Sequence, residues 1–114
     1  MDNGRHLYIL WTNGDPETSE NMVMMYATNS LLHRWWDQVT VIIWGQSQIT
    51  ALENERVKLK IEVAQKAGVK FTACKACAIN LKTIDGLKEA GVEVIYWGDK
   101  LSGLIQEGAH ILSV

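Results

Sequence analysis

The chain has 114 residues, 47% of them apolar and 21% charged, with 11 Lys and Arg against 13 Asp and Glu. That length supports one domain, 1–114, with a single real core, and the composition excludes a disordered chain. A net charge of -2 argues against broad nucleic-acid or membrane-surface binding, which rests on clustered Lys and Arg.

The first apolar run, within MDNGRHLYILWTNG, is broken after a few residues. It has neither the h-region of a signal peptide nor the length of a membrane span, so a cytoplasmic location is expected and no membrane partner. In a reducing compartment the two cysteines are expected to be chemical, metal-binding or buried rather than a structural staple. Five tryptophans in so short a chain suggest either that some are covered by another subunit or that a generous core holds them.

Residues 6–12 read as a first strand, close to a continuous apolar run, as expected of a strand covered on both faces. Asn13-Gly14-Asp15-Pro16 stops it. Thr18 or Ser19 is expected to cap a helix running to about residue 35, with Met22, Met25, Tyr26, Asn29, Leu32 and His33 on its inward stripe. Residues 39–44, VTVIIW, form the second strand. Residues 49–67 read as helix, with Leu52, Leu59, Val63 and Ala67 on one face and a possible break at Asn54, Glu55 and Arg56. Gly68 ends it and residues 69–72 form the third strand.

The stretch GVKFTACKACAIN, residues 68–80, organises the rest. A strand delivers Cys74 and Cys77 to the start of the next helical pattern, whose main body is expected at 81–90. VEVIYW at 92–97 is the fourth strand, a short helix is expected at 101–106, and a last strand at 109–114. The strand-helix alternation, with no hairpin signal, argues for an α/β fold with a parallel sheet and helices on both faces.

In such a sheet the loops after the strands gather along one rim, where ligand sites occur. Asn13, Asp15, Gln46, Cys74, Cys77 and Asp99 are expected there. A helix N-terminus directs amide hydrogens at a thiolate, and Lys75 adds positive charge beside it. The i, i+3 spacing also lets one thiol attack an adduct on the other. The plain alternative is that Thr72-Ala73-Cys74 simply finishes a core strand.

Other chemistries have less behind them. His6, His33 and His110 are scattered, so four ligands for structural zinc are not in hand and no metal is expected. No G-x-G-x-x-G or P-loop pattern occurs, and no cofactor is expected. An anion at the Asn13-Gly14-Asp15 turn would be opposed by Asp15, which serves instead as a turn residue, a hydrogen-bond anchor or a proton acceptor. Asn13 and Asp15 thus stand as supporting residues beside the cysteines.

With NGDPET at 13–18, GVKFTACKAC at 68–77 and GLIQEGAHILSV at 103–114, the chain resembles the DsrE/DsrF-like (TusD-like) family of small sulfur-relay proteins. The resemblance implies a three-layer flavodoxin-like fold with a mainly parallel five-stranded sheet, and homo-oligomers such as trimers or hexamers. It implies that Cys74 carries sulfur as a persulfide, that Cys77 matches a second cysteine found in some members, and that sulfur donor and acceptor proteins are the partners. Family members act in tRNA thiolation or dissimilatory sulfur metabolism. Where some carry C-G-T-C followed by Arg-Gly, this chain has Lys75 in place of the loop glycine, and Leu81 and Lys82 at the Arg-Gly positions. Persulfide transfer is therefore the leading expectation, beside a non-catalytic oligomeric module that binds a small ligand and a dithiol redox protein.

Overall fold

The structure, a computed structural model, describes residues 4–114; the start of the N-terminal run read against a signal peptide lies outside the described residues. Five strands form one all-parallel sheet: β1 (His6–Trp11), β2 (Gln38–Ile43), β3 (Lys70–Cys74), β4 (Glu93–Ile95) and β5 (His110–Ser113), in the order β4-β3-β2-β1-β5. The expected three-layer α/β fold is the fold observed. Among the described residues no helix is long and apolar enough to cross a membrane.

The helices are α1 (Pro16–Thr18), continuing through a π-helical turn (Ser19–Met24) into α2 (Met25–Leu32), then α3 (Ser47–Glu53), α4 (Glu55–Ala67), α5 (Lys75–Leu81), α6 (Ile84–Glu89) and α7 (Gly98–Glu107). The steps from β1 to β4 all run in one direction, so crossovers of one hand place the intervening helices on one face. The return from β4 to β5 puts α7 on the other. The packing agrees. Leu7, Ile9 and Trp11 of β1 and Val39, Val41 and Ile43 of β2 join Val23, Met24, Val57, Ile61 and Leu87 in the larger core. On the opposite face Ile42, Cys74 and Trp97 form a smaller core with Tyr8, Leu10, Leu101 and Leu104 against it.

Several local expectations are corrected. The first helix is capped by Asp15, whose carboxylate accepts from the Thr18 amide, and not by Thr18 or Ser19; it ends at Leu32, three residues early. Its inward face is Val23, Met24, Ala27 and Ser30, while Met22, Met25, Leu32 and His33 point outward. The π turn accounts for this, because an extra residue in one turn rotates everything after it relative to a regular helix. The interruption at Asn54 is a true break: Asn54 caps α4 through the Val57 amide. Restarted there, α4 turns Val57, Ile61 and Ala64 inward and leaves the expected Leu59 and Val63 outside.

Beyond β3 the expected helix at 81–90 is replaced by α5, which starts directly after Cys74, and α6, with Lys82 between them in a left-handed conformation at φ 60°. The last helix is longer than expected, beginning at Gly98.

Candidate functional site

The loops leaving β3 and β4 diverge. Ala78 of α5 packs into the larger core, whereas Leu101 and Leu104 of α7 pack into the smaller one on the other face. Adjacent strands whose loops part in this way leave a crevice at their carboxyl ends, the switch point where α/β proteins place their ligands. Cys74 and Lys75 form one wall and Tyr96 and Trp97 the other. Lys75 spans the gap, its Nζ 5.3 Å from the centre of the Tyr96 ring.

The two thiols occupy different surroundings. Cys74 is the N-cap of α5, with extended backbone, and its sulfur accepts no bond from the first-turn amides. The residue is 3% exposed and packs with Ile42 and Trp97. The expectation that this thiol opens onto the rim is therefore corrected: β-strand alternation sends the last side chain of β3 into the smaller core. Cys77, one turn on, is half-buried at the crevice. Its Sγ accepts a hydrogen bond from the Gly45 N–H at 3.2 Å, delivered by the loop between β2 and α3. Gly45 sits at φ 79°, a conformation glycine adopts without the Cβ penalty. Both cysteines are free thiols.

Behind the thiols lies a buried polar post that sequence reasoning passed over. Gln48, fully buried, donates from Nε2 to the carbonyl oxygens of Ile43 and Cys74, both at 3.1 Å, and accepts from the Thr83 hydroxyl at 2.7 Å. One side chain thus ties the ends of β2 and β3 to the residue preceding α6. The signal was the period: Gln48 lies one turn before Ala51 on the buried face of α3, but a helix drawn from 49 leaves it in a loop. A second post is Trp97, whose Nε1 donates to the buried Thr72 hydroxyl at 2.8 Å and so lays the indole over Cys74.

Asn13 and Asp15 sit apart in role from the thiols. Asn13 Oδ1 accepts from the Asp15 amide, and Asp15 Oδ2 from the Thr18 amide, so both side chains fold the turn after β1. Bonds from Thr18 hold the Asp15 carboxyl below its ordinary pKa range. Their neighbourhood reaches the rim through Gly14, whose carbonyl accepts from Thr50 and whose Cα lies against Gln46. Ser47 completes the loop, donating to the Trp11 carbonyl at 2.6 Å. Of the histidines, His33 stacks on Trp35 at the surface and His110 faces Trp36. Among the described residues no three His, Cys, Asp or Glu side chains gather as a metal site would require.

No family model and no curated protein matches the chain. A solved structure does: a conserved protein of unknown function from Bacteroides thetaiotaomicron is 32% identical, with a TM-score of 0.95 over 100% of this chain and 98% of that one. The chain belongs to the same family. Likeness at this level extends over the whole fold, so the family shares the five-stranded sheet and its rim as a common frame.

Proposed function

We propose that the protein handles sulfur, accepting a persulfide sulfur on a thiol of the β3/β4 crevice and passing it on, as the resemblance to DsrE/DsrF-like proteins implies. The observation that supports it most is the Gly45 amide aimed at Cys77 Sγ, a fixed donor for a sulfur anion. In this reading Cys77 is the outer, carrying thiol and Cys74 the inner one, the reverse of the order the resemblance implies.

The Cys77 thiolate attacks the terminal sulfur of a donor persulfide R–S–SH. The donor leaves as R–S⁻ and Cys77–S–SH forms, with no net oxidation. Discharge takes one of two routes. An acceptor nucleophile attacks the outer sulfur and regenerates the Cys77 thiolate. Alternatively the Cys74 thiolate attacks Cys77 Sγ, releasing HS⁻: the transferred sulfur is reduced and the two cysteines are oxidised to a disulfide, which an external dithiol then reduces. The i, i+3 relation across a helix start brings the two Cα atoms within the span of a disulfide. Lys75 and Tyr96 stand at the mouth, where a donor or acceptor protein would approach.

The chain acts in this reading as a cytoplasmic homo-oligomer, a trimer or hexamer. Exposed Met25, Leu32, Leu59 and Val63 on the outer helices, with Trp35 in the turn after α2, support self-association. A second reading, a non-catalytic module with both thiols reduced, draws support from the burial of Cys74. Treatment with a small persulfide donor followed by intact mass separates them. The sulfur-handling reading expects Cys74→Ser to gain mass in steps of one sulfur atom, wild type to do so or to lose two hydrogens as the disulfide forms, and Cys77→Ser not to gain; no gain in Cys74→Ser overturns it.

A further inference from the structure

A five-stranded sheet is about 20 Å across, roughly twice the width of one helix, and among the described residues α7 is the only helix on its second face. The smaller core fills the carboxyl half of that face. Toward the strand starts the same side carries His6, Tyr8, Thr40 and Lys70, placed there by alternation from Leu10 and Ile42 and by the register of Tyr8 with Thr40 and of Thr40 with Lys70. Beside α7 this leaves an open recess in two adjoining parts, of about 320 and 270 Å³, which share Tyr8, Leu104 and Glu107. Trp97, Lys100 and Gly103 complete the larger part. Lys100, Leu104 and Glu107 fall on one flank of α7 because i, i+4 and i+7 spacings nearly superpose at the helical period.

Three features of this flank have no use within the fold. Gly103 lies inside the helix without a positive φ, and a Cβ there would meet nothing within 4 Å, although glycine weakens a helix interior relative to alanine. Lys100 stands in the first turn of α7 and Glu107 in the last, each at the end where the helix dipole disfavours its charge, and among the described residues neither side chain has an ion-pair partner. The Tyr8 ring is held in place, stacked on His6 at 4.1 Å between centres, while His6 Nε2 and Thr40 Oγ1 share a hydrogen bond of 2.9 Å. Burial and then the nearby Glu107 carboxylate push the Tyr8 hydroxyl above its ordinary pKa, so it stays a donor. The other charges of this sheet face, on Lys70 and Glu93, do not line the recess.

We propose that this recess binds short peptides with free termini, about three residues long, the ammonium at Glu107 and the carboxylate at Lys100. The length follows from the spacing. Lys100 and Glu107 are about 10 Å apart along the axis at 1.5 Å per residue, and an extended chain advances about 3.3–3.6 Å per residue. A simple cation or anion would meet one of the two charges and be repelled by the other, whereas a zwitterion of this length satisfies both. The middle side chain lies beside Tyr8 and Leu104 in the space that Gly103 leaves free, and the Tyr8 hydroxyl donates to a peptide carbonyl. The site is independent of the thiol chemistry, from which Trp97 separates it.

The test is an NMR titration of the isotope-labelled protein with the tripeptide Ala-Leu-Ala at low ionic strength. Saturable shifts are expected at the amides of Tyr8, Gly103 and Glu107. Acetylating the peptide amine or amidating its carboxylate is expected to weaken binding about fivefold each, as the loss of one exposed ion pair implies. In Glu107→Gln acetylation should then make no difference, and in Lys100→Gln amidation should make none. Gly103→Leu fills the recess and is expected to abolish binding with a melting temperature no lower than that of wild type, since leucine is the better helix former and meets open space. No saturable shift at millimolar peptide, full affinity for a peptide capped at both ends, or unchanged binding in Gly103→Leu would each overturn the proposal.

Discussion

Replacing Gln48 by Leu tests the structural premise of the site, that one buried side chain holds the thiol-bearing loop in register. Leucine has nearly the volume of glutamine, so little cavity opens and the change isolates hydrogen bonding. Three bonds disappear: those to the Ile43 and Cys74 carbonyls and the one from Thr83. Gln48 is fully buried and Thr83 nearly so, so water does not replace the lost partner freely. A buried polar group left without its bond costs about 1–3 kcal/mol. The carbonyls have second lone pairs and the hydroxyl can rotate, which keeps each of the three toward the low end. The sum is about 3 kcal/mol, a large part of the roughly 5–15 kcal/mol that holds a domain of this size. Urea unfolding, read at an unchanged m-value, measures it. Thr83→Val removes one of the three bonds and is expected to cost about 1–2 kcal/mol, and the double variant to show a coupling near 1 kcal/mol. The Cys74 carbonyl precedes α5, so Gln48→Leu is also expected to speed alkylation of Cys77. A cost below about 1 kcal/mol together with no coupling would refute the reasoning.

Two further outcomes follow from neighbouring contacts. Thr72→Val orphans the Trp97 indole N–H, bonded at 2.8 Å in a buried site, so a loss of about 1–3 kcal/mol in urea unfolding is expected, with Cys74 becoming open to alkylation in the folded protein; a variant as stable and as closed as wild type would contradict this. Asp15 titrates lower in the fold than in the unfolded chain because Thr18 bonds its carboxylate. Its contribution is therefore fully present above its unfolded pKa and fades as pH falls through the folded one. Asp15→Ala is expected to flatten the acid side of the stability profile, and an acid limb as steep as that of wild type would show that the cap contributes nothing there.

The fold was legible because its signals are periodic and redundant. Nearly continuous apolar runs such as VTVIIW admit little besides a buried parallel strand, and Gly68 and Gly108 end their helices in the left-handed conformation that favours glycine. Faces were harder to read. α2 and α4 each bear two apolar stripes, and which one turns inward is decided by the π turn and by the restart at Asn54, neither of which a regular period contains. The site shows the same division. The motif at residues 74–77 announced itself, and its place at the rim followed from topology. Which sulfur faces outward depended on the parity of β3 and on α5 beginning at Lys75 rather than several residues later. Gln48 and the Gly45 amide were silent because one was assigned to a loop and the other has no side chain to notice.

The claim that matters most is that sulfur is carried on Cys77. Peptide-level mass spectrometry after donor treatment and rapid alkylation of the folded protein locates the added sulfur directly. The account predicts it on the peptide bearing Cys77, and retained there in Cys74→Ser, where the disulfide route is closed; sulfur found on Cys74 alone, or none on Cys77 in Cys74→Ser, would contradict it.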